Sequence, residues 1–205
     1  MGIGIVDVGI GNLGSLKNAL CCQGWDSSFV SSPEDLDGLT HLILPGVGAF
    51  SAAVKRLQDA QLMDRIKDFA NKGHPVMGIC LGMQLLADRG TEGGDEPGLG
   101  LVTGHIVPLV AQGIRLPHVG WNSVKHVKKH PLFEGIRNNI DFYFVHSYRF
   151  VADQENNVLS ETDYGESFPS IVGRDNVIGV QFHPEKSQVN GLRLLDNFCL
   201  WDGKC

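Results

Sequence analysis

The chain has 205 residues and a net charge of -6, with 42% apolar and 20% charged residues. This length suits one α/β domain with a sizeable core, and no linker or change of composition divides it, so we predict a single domain over residues 1–205. The negative charge offers no basic surface for nucleic acid. No apolar run reaches the length of a membrane span and no targeting signal opens the chain, so we expect a cytoplasmic protein that binds neither nucleic acid nor membrane.

Strand and helix patterns alternate in the first half of the chain, which predicts a mostly parallel sheet with helices on both faces. The predicted strands cover residues 3–8, 27–30, 39–44 and 75–79, with helices around 13–20, 52–57 and 62–70. From residue 100 onwards, short strands joined by turns predict a more antiparallel half, at 106–110, 124–127, 141–145, 157–161, 170–173 and 177–182. A final helix over 191–201 is expected to close the core.

Cys80 lies in the most informative segment, PVMGICLGMQ at residues 75–84. An apolar strand pattern ends there in a G-x-C-x-G turn, and a helical pattern follows at once, which is typical of a nucleophile elbow with sulfur in place of oxygen. We expect Gly78 and Gly82 to let the backbone turn sharply. The following helix then directs its first N–H groups towards the thiol.

His183 and Glu185 follow in the run GVQFHPE at the end of an apolar strand pattern. Since side chains alternate along a strand, residues two apart are expected on the same side. A thiol, an imidazole and a carboxylate are the parts of a Cys-His-Glu acyl-transfer site. We predict that His183 moves the thiol proton of Cys80 to the leaving nitrogen, while Glu185 holds the ring in the useful tautomer.

An acyl-transfer site also needs two N–H donors for the oxyanion. The N–H of Leu81, next after the nucleophile, is the first candidate. The Gly-rich turn PGVG at residues 45–48, which leaves the third strand, is expected to supply the second from Val47, because glycines allow the backbone to approach a ligand closely.

The run GIGNLG at residues 9–14 carries a competing signal. It matches G-x-G-x-x-G between a strand and a helix, the context of a dinucleotide site. The second strand, however, does not end in an acidic residue for the ribose, and Glu34 and Asp35 fit the first turn of a helix better. A dinucleotide-binding module stays as an alternative interpretation. The five cysteines show no metal-ligand spacing, and His126 and His130, although four apart, stand among lysines that would repel a divalent metal, so we expect no metal and no cofactor.

The elbow GICLGMQ with the HPE triplet resembles the class I, or triad, glutamine amidotransferases. The further segments DVGIGN, PGVGAF, HVGWN, FVHSY and QFHPEKS are similar to those of the glutaminase subunits of imidazole glycerol phosphate synthases, and the resemblance extends over nearly the whole chain. It implies a flavodoxin-like fold with a mostly parallel central sheet flanked by helices. It also implies hydrolysis of L-glutamine to glutamate and ammonia through a glutamyl thioester, in histidine biosynthesis.

The resemblance also implies further site residues and a partner. It assigns glutamine contacts to Gly48, Gln84, Glu92, Ser147 and Tyr148, and a partner interface to Asn12, Trp121 and Lys186. The partner is a (β/α)8-barrel cyclase, which forms a heterodimer with the glutaminase and uses its ammonia to make imidazole glycerol phosphate and an aminoimidazole carboxamide ribonucleotide. At Val8 the family usually has an aromatic residue, a departure on the interface side.

The acceptor of the ammonia stays open at this point. Similar glutaminases serve a sugar-amidating synthetase or pyridoxal phosphate synthase, and an elbow of this kind also occurs in a γ-glutamyl hydrolase. The length predicts an acceptor on another chain, since 205 residues are used by the glutaminase fold itself.

Overall fold

A central sheet with a parallel half and an antiparallel half organises the protein, seen here in a computed structural model that describes residues 2–110 and 113–204. The parallel half has the order β2-β1-β3-β4-β13. Its strands are β1 (Ile3–Val6), β2 (Ser27–Val30), β3 (His41–Gly46), β4 (Val76–Cys80) and β13 (Val177–Val180). All but β2 are buried along their whole length, which explains their continuous apolar runs.

Helices cover both faces of this parallel half. They are α1 (Leu13–Cys22), α2 (Phe50–Asp59), α3 (Met63–Asn71), α4 (Leu81–Leu85) and α5 (Gln188–Leu200). On one face, Ile43 of β3 shares a hydrophobic core with α1 and α5. On the other face, Leu42 and Leu44 share a second core with α2, α3 and α4. Because side chains alternate along each strand, the same strand contributes residues to both cores.

The antiparallel half continues the same sheet from β13 in the order β12-β11-β8-β9. These strands are β8 (His118–His126), β9 (Ile140–His146), β11 (Val158–Tyr164) and β12 (Glu166–Arg174). A second sheet, of order β10-β7-β5-β6, contains β5 (Arg89–Gly90), β6 (Glu96–Pro97), β7 (Gly104–Pro108) and β10 (Tyr148–Ala152). Ser147 alone separates β9 from β10, so the chain passes from one sheet to the other at this residue.

The predicted fold class is confirmed, with a parallel first half and antiparallel strands later. Most element bounds differ from the prediction by a few residues, but β8 begins at His118 rather than at residue 124, and β5, β6 and β10 were not predicted. Among the described residues, no helix combines the length and the apolar character that crossing a membrane requires.

Candidate active site

Cys80 is the last residue of β4 and directly precedes α4. It is 6% exposed, and its backbone lies at φ +54°, in the left-handed region that residues other than glycine seldom adopt. Gly78 and Gly82 were expected to make this turn. They do not, since neither has a positive φ. A Cβ at Gly82 would overlap the carbonyl oxygen of Leu44, and one at Gly78 would overlap that of Gly82. Close packing therefore requires the glycines, and Cys80 itself makes the turn.

His183 and Glu185 lie beside the end of β13, the strand that pairs with β4. His183 Nδ1 donates a hydrogen bond of 2.8 Å to Glu185 Oε1, and both side chains are about 95% buried. The expected contact is present, but strand alternation does not produce it. β13 ends at Val180, and Pro184–Lys186 forms a 3₁₀ turn that brings the carboxylate back to the ring.

The surroundings of His183 raise the pKa of its ring. Burial lowers the pKa of the ring, but Cys80 and Glu185 raise it by more, so that the net pKa of His183 is about 9. Its Nε2 atom is buried and makes no hydrogen bond within the described residues. The Cys80 thiol instead donates to the backbone carbonyl of Val145, at 3.7 Å. The surroundings of His183 therefore favour the charged ring that results when it accepts the thiol proton.

A cavity of about 200 Å³ opens beside the Cys80 thiol. Apart from Cys80, its lining consists of Val47, Gly48, Leu81, Gln84, Glu92, Val145, His146, Ser147 and Tyr148. All seven residues predicted to contact glutamine or its oxyanion are therefore brought together here, and their individual roles stay predictions. His183 and Glu185 do not line this cavity. They line a separate and much smaller one, which they share with Asn12.

Two of the cavity residues are anchored by polar contacts. The Gln84 amide donates to the carbonyl of Tyr148 and to Gln181 Oε1, both at 3.2 Å. Glu92 Oε2 accepts a hydrogen bond from the N–H of Phe50 at the first turn of α2, at 3.2 Å. Burial raises the pKa of Glu92, although this hydrogen bond opposes the shift. The loop that carries Glu92 is thereby tied to the cavity edge.

The three predicted interface residues are exposed, and two of them share a neighbour. Trp121 is 47% exposed and packs edge-on against Tyr143, with ring centroids 6.0 Å apart. Lys186 Nζ lies 5.9 Å from the centre of the same ring. Asn12 accepts a hydrogen bond from the N–H of Ser15 at the start of α1. Their role as an interface stays a prediction.

The glycine run at residues 9–14 joins β1 to α1, as a dinucleotide site would require. The Arg56 guanidinium fills this loop, because it donates to the carbonyls of Val8 and Gly9 at 3.0 and 3.3 Å. Asp35 accepts hydrogen bonds from the N–H groups of Ser31 and Ser32 and so belongs to the 3₁₀ turn at Pro33–Leu36, as predicted. Neither feature favours a nucleotide.

Three residues at the site were not predicted. Gln181 Nε2 donates to Cys80 Sγ at 3.8 Å, and the carbonyl of Val145 accepts from the same thiol. Gln181 precedes His183 by two residues, and this spacing could have indicated it. His118 reaches the cavity wall through His146, and no sequence pattern signals that contact. Within residues 2–110 and 113–204, no group of three or more His, Cys, Asp or Glu side chains is suited to hold a metal ion.

Comparison with known proteins identifies the class to which this fold and site belong. A model of the family described as "Glutamine amidotransferase class-I" matches residues 4–201. The chain belongs to the class I glutamine amidotransferase family. Solved structures with the same fold include a glutamine amidotransferase, at a TM-score of 0.77 and 23% identity with 98% of each chain covered. Another is PurLQS from Thermotoga maritima, at a TM-score of 0.76 and 21% identity with 97% of each chain covered.

Within the family, the chain is similar to proteins named imidazole glycerol phosphate synthase subunit HisH. The one from Desulfitobacterium hafniense is 47% identical, over 97% of this chain and 94% of that protein. The one from Symbiobacterium thermophilum is 45% identical over 95% and 91%. The one from Aquifex aeolicus is 44% identical over 95% and 94%.

Proposed function

We propose that this chain is the glutaminase subunit of an imidazole glycerol phosphate synthase and forms one glutaminase domain. It hydrolyses L-glutamine to glutamate and ammonia, and a cyclase partner uses the ammonia in histidine biosynthesis. The observation that carries the proposal is the buried His183–Glu185 pair, 2.8 Å apart, beside a thiol that faces a cavity of about 200 Å³. The similarity to HisH proteins supports the histidine pathway as the destination of the ammonia.

The chemistry begins with proton transfer from Cys80 Sγ to His183 Nε2. The sulfur then attacks the side-chain carbonyl carbon of glutamine, and the C–N bond breaks as His183 gives the proton to the leaving ammonia. Water next attacks the thioester, with His183 as the base, and glutamate leaves. The raised pKa of His183, about 9, favours the protonated ring that accompanies the attacking thiolate.

The cavity wall supplies the remaining groups of the proposal. The N–H groups of Val47 and Leu81 receive the oxyanion, and one such donor contributes about 3 kcal/mol to the transition state. Gly48, Gln84, Glu92, Ser147 and Tyr148 hold the amino acid. Glu92 supports this assignment, because a carboxylate at the cavity edge attracts the ammonium group of the substrate.

The partner in this proposal is a (β/α)8-barrel cyclase that binds the surface around Asn12, Trp121 and Lys186. Asn12 lines a small cavity together with His183 and Glu185, and this contact between one interface residue and the catalytic pair supports the proposal. The cytoplasmic location expected from the sequence stays a prediction.

Genetic complementation tests the enzyme and its pathway together. The chain and its cyclase are expressed in a histidine auxotroph that lacks its own glutaminase subunit, and growth without histidine is scored. We expect rescue by the natural chain and none by Cys80→Ala, because Cys80 supplies the only thiol among the described residues that line the cavity. Cys22→Ser is the matched control, since this cysteine is exposed on α1 and should leave rescue intact.

Two outcomes would overturn parts of the proposal. Growth with Cys80→Ala would disprove the nucleophile. A lack of rescue by a chain that releases glutamate from glutamine in vitro would indicate another acceptor, such as that of a sugar-amidating synthetase.

A further inference from the structure

A row of hydrogen bonds runs through the interior of the antiparallel half to the cavity wall. Asn122 Nδ2 lies 3.3 Å from His118 Nε2, and His118 Nδ1 lies 2.9 Å from His146 Nε2. His146 Nδ1 lies 2.9 Å from the carbonyl oxygen of Tyr148. The two rings are 2% and 6% exposed, so water does not compete for the contact between them.

The two ends of this row fix the direction of every hydrogen bond in it. The Tyr148 carbonyl can only accept, so His146 Nδ1 must carry a proton. At the other end, Asn122 Oδ1 accepts from the N–H of Ser123, and Nδ2 donates to the carbonyl of Asp163, which orients the amide. Nδ2 then donates its second proton to His118 Nε2. His118 Nδ1 therefore carries the proton that reaches His146 Nε2.

Both rings are consequently neutral Nδ1–H tautomers. A second proton on either ring would either leave Asn122 Nδ2 facing a donor or place two N–H groups against each other at 2.9 Å. Burial supports the neutral state, since it lowers the pKa of both His118 and His146 to about 4. Stacking also holds the His118 ring, with centroids 3.9 Å from Tyr164 and 4.8 Å from Phe144.

The row ends at the segment that crosses between the two sheets. The Tyr148 carbonyl accepts from His146 and also from Gln84, and the preceding carbonyl of Ser147 accepts from the N–H of Leu109. Gln84 donates in turn to Gln181, whose amide donates to Cys80 Sγ. One carbonyl therefore joins the histidine row to the contacts around the nucleophile.

We propose that His118 and His146 are positioning residues of the glutaminase site, and that their fixed tautomers hold the Ser147–Tyr148 segment in the geometry that binds glutamine. This inference rests on the proposed function and adds two residues to it. Neither ring touches the reacting atoms. Each acts through the Tyr148 carbonyl.

The tautomers can be measured without any activity. In the full chain labelled with ¹⁵N-histidine, we expect both His118 and His146 to show the Nδ1–H tautomer at neutral pH. An Nε2–H tautomer or a charged ring at either position would overturn the proposal. This measurement also holds if a variant fails to fold.

The kinetic test uses glutamine hydrolysis by the full chain together with its cyclase. His118→Phe keeps an aromatic ring between Tyr164 and Phe144 but removes the donor to His146. We expect KM to rise about tenfold and kcat to change by less than about threefold, since the segment contacts the bound substrate. His118→Asn, whose amide can replace the Nδ1–H donor, should restore KM to within about threefold of the natural value.

A matched control is His126→Phe, because His126 also stacks on a phenylalanine, at 3.9 Å from the Phe133 ring, but lies outside the row. It should leave KM and the two tautomers unchanged. Equal KM values for His118→Phe and the natural chain would overturn the positioning role. A natural chain without any glutaminase activity would instead overturn the proposed function, while the tautomer measurement still tests the row.

Discussion

At the scale of single residues, the Glu185 side chain makes one hydrogen bond within the described residues, and that bond is with His183. Its Oε1 accepts the ring N–H, and its Oε2 is buried without a hydrogen-bond partner in the described chain. A glutamine at this position can keep the acceptor for Nδ1–H while it removes the negative charge. The substitution therefore separates the orientation of the ring from the stabilisation of its positive charge.

For Glu185→Gln we predict a lower pKa of His183 than the value of about 9 in the natural chain. Glutamine hydrolysis should slow by a factor on the order of 10² or more, because the protonated ring loses its counter-charge. Titration of the labelled ring by NMR and steady-state kinetics would measure the two effects. An unchanged pKa of His183 would contradict the role given to Glu185.

The same group makes the stability of the protein depend on pH. The pKa of His183 is raised from 6.5 to about 9 on folding, so its contribution to the free energy of unfolding is complete below 6.5 and is lost as pH rises through about 9. We expect the difference in unfolding free energy between the natural chain and Glu185→Gln to shrink over this range. Urea unfolding at several pH values measures it, and the exposed Glu155→Gln should show no such trend.

At the scale of elements, the crossing of α4 over β3 is the tightest backbone contact at the site. Gly82 packs directly on the carbonyl of Leu44, so any side chain there must push the helix away from the sheet. We predict that Gly82→Ala destabilises the protein by about 3 kcal/mol and shifts Cys80 with the helix. Gly14→Ala should instead stabilise it by about 0.5 kcal/mol, since a Cβ there meets open space in α1.

Urea unfolding of the two alanine variants would measure this contrast. Equal stabilities for Gly82→Ala and the natural chain would show that the helix can move without cost. A loss of stability in Gly14→Ala would contradict the assignment of that position as an ordinary helical one.

Sequence patterns located the buried strands with continuous apolar runs to within about two residues, and they also gave the bounds of the mostly exposed β2. β3, β4 and β13 are buried on both faces, and their runs end where a turn begins. β10 was missed because the chain changes sheets at Ser147 without a turn signal. β5 and β6 have two residues each, too few for a periodicity.

For the site, sequence reasoning found the residues that stand in local motifs, such as Cys80 and His183. It could not find contacts that depend on the packing of distant strands. His118 and His146 meet because β8 and β9 pair in a register that places them opposite each other. Gln181 contacts the thiol because β13 and β4 end side by side.

At the scale of the whole molecule, strand β8 presents exposed apolar side chains on the surface where the partner is expected to bind. Val119 and Trp121 of β8 are 54% and 47% exposed, and residues two apart on a strand share a face. We predict that Trp121→Ala weakens cyclase binding at least about tenfold, because large aromatic side chains dominate such interfaces. Its free energy of unfolding should change little.

Titration calorimetry with the purified cyclase would measure the affinity. Leu200→Ala is a suitable control, since this leucine is 67% exposed at the far end of α5. If both variants bind the cyclase as tightly as the natural chain does, the interface lies elsewhere.

The pairing of β4 with β13 also has a consequence for how the protein is made. Cys80 ends β4 and His183 follows shortly after the end of β13, so the two residues lie beside neighbouring strands but about half the chain apart in sequence. Parallel pairing over such a separation forms late in folding, since a long loop must close first. During synthesis, Cys80 leaves the ribosome well before His183 does. We therefore expect that a nascent or truncated chain without His183 does not hydrolyse glutamine.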